Sequence, residues 1–114
     1  MSSPEIRDFG EPDDVLETPR RVAKILRLKD GDATLTRIEP GWSFRQDFQA
    51  HAGTQWCEID HFEYVISGHL SVTTSSGEKY EVKAGDVMAM PPGHEGHVLG
   101  DEPFVTISLV RRQP

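Results

Sequence analysis

Apolar residues fall at Val22, Ala23, Ile25, Leu26 and Leu28, and a second apolar run broken by polar positions extends from Ala33 to Ile38. The first run, with Thr18 and Pro19 ahead of it, fits a capped helix about as well as a strand. Asp30-Gly31 between the runs decides for strands, because both residues tolerate the positive φ of a type I′ hairpin turn. VAKILRL and ATLTRIE are therefore predicted to pair.

After the turn residues Glu39-Pro40-Gly41, Trp42, Phe44 and Phe48 alternate loosely with polar positions, which predicts a third strand and then a loop over Ala50 to Gln55. His61 to Ser67 is rich in aromatic and β-branched residues, stops at Gly68 and resumes as LSVTTS, apolar at every second position. A second hairpin is predicted to close at Ser75-Ser76-Gly77. The same rhythm continues through EKYEVKA, VMAM, HVLG and FVTISLV, separated by Ala84-Gly85-Asp86, Pro91-Pro92-Gly93 and Asp101-Glu102-Pro103.

The pattern amounts to about nine short strands without a long helix, which indicates a β-sandwich or closed barrel. Residues 1–19, with Pro4, Gly10, Pro12 and Pro19 among acidic and small residues, read as an irregular N-terminal arm with room for one helical turn near Asp13 to Glu17. A chain of 114 residues suffices for one core and not two, so residues 20–114 are expected to form a single domain.

A net charge of −7 repels phosphate backbones and anionic headgroups, so nucleic acid and membrane surfaces are not expected partners. No apolar run approaches bilayer length, and the start, MSSPEIRDFGEPDD, lacks the charged-then-apolar plan of a signal peptide, so a cytoplasmic location is expected. Cys57 is the only cysteine, which leaves no internal disulfide and no CxxC motif.

Tyr64-Val65-Ile66-Ser67-Gly68 and Gly85-Asp86-Val87-Met88-Ala89-Met90-Pro91-Pro92-Gly93 resemble the two motifs of the cupin superfamily, over roughly residues 40 to 110. The resemblance implies a cupin-type jelly-roll β-barrel. In the usual first motif a His-x-His pair precedes a Glu and then a Gly; counting back from Gly68 puts His61 at the Glu position, with Cys57 and Gln55 at the histidine positions. In the second, Gly85, Pro91 and Gly93 match, but the ligand position holds Gly96, flanked by His94 and His97. A subgroup of small stand-alone cupins shares the order Pro40-Gly41-Trp42, Ala52-Gly53-Thr54, Cys57, His61 and Pro91-Pro92-Gly93-His94. Scaffold and chemistry thus require separate arguments.

Cys57 and His61, four apart, share one strand face if the strand runs unbroken between them. Thiolate, imidazole and carboxylate are ligands for Zn, Fe, Ni or Cu, so Cys57, His61 and His97 form a candidate metal set, with Asp47 or Gln55 as a fourth ligand. Against it stands the inert role of a buried cysteine and of a hydrogen-bonded histidine; without metal, a thiolate–imidazole pair is a third option. His94 is either a loop residue or a ligand at the barrel mouth. Trp42, Gln55, Cys57, His61, His94 and His97 are the cavity candidates, Phe44 and Phe62 are read as packing, and His51 and His69 as surface residues. Glu63 shares parity with His61 and is the acidic residue placed to face inward. Tyr64 and Ile66 have the opposite parity, so an outer face covered by a homodimer is expected.

Two functions follow. One is a module that binds a small molecule inside the barrel. The other is a metal-dependent cupin enzyme, oxygenase- or isomerase-like, with a non-standard Cys/His site.

Overall fold

The computed structural model describes residues 3–113; Met1 and Ser2 of the arm, and Pro114 at the end of the expected domain, lie outside the described residues. Among the described residues are β1 (Asp14–Thr18), β2 (Arg21–Arg27), β3 (Gly31–Ile38), α1 (Phe44–Asp47), α2 (Gln49–Ala52), β4 (His61–Ser67), β5 (His69–Thr74), β6 (Lys79–Lys83), β7 (Val87–Met90), β8 (His94–Val98) and β9 (Phe104–Arg111). One antiparallel sheet has the order β1-β2-β3-β9-β4-β7 and a second the order β6-β5-β8. Their inner faces meet in one core, where Val65, Val72, Phe44 and Phe104 are buried. The arrangement is the jelly-roll that the cupin resemblance implies.

The first hairpin forms as expected, β2 against β3, with Leu26 opposite Ala33. Its glycine serves a different purpose from the one predicted. Gly31 does not have a positive φ; a Cβ there would stand 2.4 Å from the carbonyl oxygen of Val110, so glycine is required for β9 to approach β3.

Two element assignments change. The arm is not irregular throughout, since Asp14–Thr18 pairs with β2 from Asp14↔Ile25 to Thr18↔Arg21 and displaces the expected helical turn. A two-residue turn at Pro19-Arg20, with Arg20 at φ 59°, makes that pairing possible. Conversely, Trp42 to Phe48 is not a strand. Ser43 caps α1 by accepting from the Gln46 amide at 3.2 Å, and the Asp47 carboxylate accepts from the Ser43 amide at 3.1 Å. Phe44 and Phe48, four apart, stack with centroids 6.0 Å apart, a helical spacing rather than an alternating one. Strand number agrees with expectation because these two differences cancel.

β5 and β6 form the hairpin closed at Ser75-Ser76-Gly77, with Thr73 opposite Lys79. β4 does not pair with β5; it lies between β9 and β7, so the chain changes sheets at Gly68. Gly68 has φ 88°, and a Cβ there would lie 2.5 Å from the Pro103 carbonyl oxygen. No helix among the described residues is long and apolar enough to cross a membrane.

Candidate functional site

Cys57 precedes β4 and is pinned to the small sheet. Its amide donates to the His94 carbonyl at 2.7 Å and its carbonyl accepts from the Gly93 amide at 2.8 Å, a bridge that sets Cys57 opposite His94 at the start of β8. Residues 58–60 then cross to the large sheet, where His61 opens β4 opposite Met90. The strand does not run unbroken from Cys57 to His61. They meet because each lies on a different sheet at the point where the sheets converge, with Cys57 Sγ 3.9 Å from His61 Nε2. The His61 and His94 rings lie 5.0 Å apart, and ligand-capable atoms of Cys57, His61 and His94 all fall within 4.8 Å of one another.

Both imidazoles are oriented from behind. His94 Nδ1 donates to the Pro91 carbonyl at 2.8 Å, which leaves Nε2 as its free nitrogen. His61 Nδ1 lies 3.4 Å from a carboxylate oxygen of Glu63, two residues on along the same face of β4. Burial opposes the Cys57 thiolate, but hydrogen bonds from His61 and His94 outweigh it and bring the thiol down to about 6. Burial likewise opposes charge on His61, while hydrogen bonding to Cys57 and Glu63 raises it to about 9. Without metal, the pair at neutral pH is a thiolate beside an imidazolium.

These groups line a cavity of about 60 Å³ between the sheets, walled mainly by core apolar side chains. Its other polar lining comes from Arg21, Glu63, Thr36 and Thr106. Arg21 starts β2 opposite Ile38 and holds its guanidinium 4.7 Å from the centre of the Phe48 ring. Burial lowers its pKa, with Glu63 and Cys57 acting in the other direction. Arg21 Nη1 and Trp42 Nε1 are buried and have no hydrogen-bond partner among the described residues.

Of the cavity candidates named from sequence, Trp42, Cys57, His61 and His94 line the cavity. His97 does not. It is exposed on the outer side of β8, because only His94, Gly96 and Val98 share the inward parity. The ligand-capable groups that the structure brings together are thus Cys57, His61 and His94, with His97 apart from them. Asp47 is buried but is held by Arg20 at 2.9 Å, and Gln55 is exposed with its carbonyl accepting from Gln49, so neither supplies a fourth ligand. Phe44 packs in the core, whereas Phe62 is on the exposed outer face. His51 stacks on Phe48, and His69 pairs with Glu81 at the surface. Glu63 faces inward as its parity indicates. Arg21 was not identified from sequence; its parity with buried Ala23 and its pairing opposite core Ile38 are the signals that mark it.

The sequence pattern of the EutQ-like cupin domain matches residues 48–106. Among solved structures, a protein of unknown function from Acidithiobacillus ferrooxidans is 22% identical, with a TM-score of 0.61 over 85% of this chain and 87% of that one. KdgF from a Halomonas species is 24% identical, with a TM-score of 0.57 over 89% of this chain and 87% of that one. An oxalate decarboxylase from Lactobacillus farciminis is 20% identical, with a TM-score of 0.56 over 84% of this chain and 30% of that one. These likenesses establish the fold. No curated protein matches the sequence.

Proposed function

The chain belongs to the EutQ-like cupin family, and on that premise we propose that it binds a small organic molecule between its sheets, beside one divalent metal ion held by Cys57, His61 and His94. The proposal rests chiefly on the convergence of one thiol and two imidazoles, all within 4.8 Å, on the wall of an apolar cavity. This donor set suits a borderline ion such as Zn, Fe, Ni or Cu. When bound, such an ion supplies a Lewis acid that polarises a carbonyl or acidifies a water.

The chain's own groups fit that role. The Pro91 carbonyl and the Glu63 carboxylate hold the two histidines by Nδ1 and direct each Nε2 inward, the usual support of metal-binding imidazoles. Cys57 is a thiolate near neutral pH and needs no further deprotonation. His61 must give up its proton on loading, so metal affinity is expected to rise with pH toward about 9. The apolar walls exclude water and leave orientation to the few polar groups.

Metal content of chelator-free protein tests this. About one ion per chain is expected, with loss of most of it in His61→Ala. Protein that stays metal-free after incubation with each of the four ions would exclude the metal half of the proposal. A second copy of the chain would cover the outer face of β4 and β7, where Phe62, Tyr64, Ile66 and Val87 are exposed, in a two-fold homodimer.

A further inference from the structure

Resting on the reading of this cavity as a ligand site, we propose that the molecule it takes is a short organic acid, bound as its carboxylate by the guanidinium of Arg21 with the indole N–H of Trp42 as a second donor.

Among the described residues Arg21 and Arg111 are the arginines without an ion pair, and of the two Arg111 is exposed. Arg20 pairs with Asp47, Arg37 with Glu39, Arg45 with Glu95 and Arg112 with Asp32. Arg21 makes no ion pair or side-chain hydrogen bond among the described residues, although its Nη1 is buried and it lines the cavity. A guanidinium stays protonated, and Glu63 and Cys57 act on it only through space, so its buried donor calls for an acceptor that the chain does not provide. The Phe48 ring holds the guanidinium from one side, 4.7 Å from its centre, and leaves the planar donor fork suited to a planar carboxylate.

Trp42 makes the same demand independently. Its side chain is only 7% exposed, it lines the same cavity, and its Nε1 is buried without a partner. An indole nitrogen only donates. Both orphaned groups are donors, so the complementary ligand brings acceptors, and beside an arginine it brings negative charge.

Size and charge narrow the class. A cavity of about 60 Å³ admits a molecule of a handful of heavy atoms, not a nucleotide or a sugar phosphate. The Glu63 carboxylate stands on the same lining and repels a dianion more than a monoanion. A small monocarboxylate satisfies both limits, whereas inorganic phosphate in its dianionic form violates the second.

Calorimetric titration of the protein as purified, in buffer free of carboxylate and phosphate, tests the assignment with acetate, glycolate, pyruvate, acetamide and inorganic phosphate. Metal content is measured on the same samples. At least one acid should bind, with acetamide and phosphate about tenfold weaker or worse. Arg21→Gln should weaken the acid about tenfold or more through loss of a charge-assisted hydrogen bond, and leave the metal content unchanged. Acetamide or phosphate binding as well as the acids, or undiminished acid binding in Arg21→Gln, would overturn the assignment. If that variant fails to fold, the contrast between acetate and acetamide on wild-type protein stripped of metal by chelator still decides. Acid binding to protein that stays metal-free after incubation with the four ions supports the carboxylate site and removes the metal proposal; full metal loading without acid binding does the reverse.

Discussion

The Cys57 sulfur is subject to opposing forces: burial disfavours its anion, and the hydrogen bonds from His61 and His94 favour it. Because the balance lies at about 6, the thiolate absorbance of metal-free protein should appear as the pH rises through about 6, rather than near the ordinary 9.0. In His61→Gln the imidazolium is gone while burial remains, so the midpoint should move up by about 2 pH units or more. A wild-type midpoint near 9 would show that the two side chains do not interact as their 3.9 Å separation indicates. At this scale the sequence was partly legible. Parity placed His61 and Glu63 inward and Tyr64 outward, as observed. Parity applied to the Gly96 ligand position also selects His94, two residues before it on the same face, whereas proximity in sequence favoured His97, which β8 turns to solvent. Arg21 is not legible in the sequence because a charged residue at a strand end ordinarily faces water, and only the cross-strand register shows otherwise.

At the scale of elements, turn chemistry was the dependable signal and short-range alternation the weak one. Trp42, Phe44 and Phe48 fit a loose strand pattern, yet the Ser43 cap and the four-residue spacing of the phenylalanines produce α1. β1 is short and mainly exposed, so it carries little apolar patterning, and its place is fixed by pairing with β2. Gly68 and Gly77 separate two roles of glycine. Both have φ near 90°, but only at Gly68 would a Cβ strike backbone, 2.5 Å from the Pro103 oxygen. Gly77→Ala should cost about 1–3 kcal/mol of conformational strain, and Gly68→Ala clearly more, because β4 could no longer cross over to β5. Urea denaturation midpoints measure the difference; equal losses would mean that the close approach to β9 is not essential.

On the scale of the whole molecule, the site exists because the sheets converge: Cys57 and His94 lie on one, His61 and Glu63 on the other. Order of strands along the chain could not reveal this, since β4 and β5 are neighbours in sequence and partners in neither sheet. The outer stripe at Phe62, Tyr64, Ile66 and Val87 belongs to the same scale. Sedimentation velocity should give a dimer, and Tyr64→Glu with Val87→Glu should shift it to monomer by placing like charges across the two-fold contact. A monomeric wild type would remove the dimer from the account. The central claim, that Cys57, His61 and His94 form one metal-binding centre inside a cupin pocket, is tested most directly by elemental analysis of the wild type beside His94→Ala and His97→Ala. The account predicts about one ion per chain in the wild type and in His97→Ala, and little in His94→Ala; loss in His97→Ala with retention in His94→Ala would contradict it.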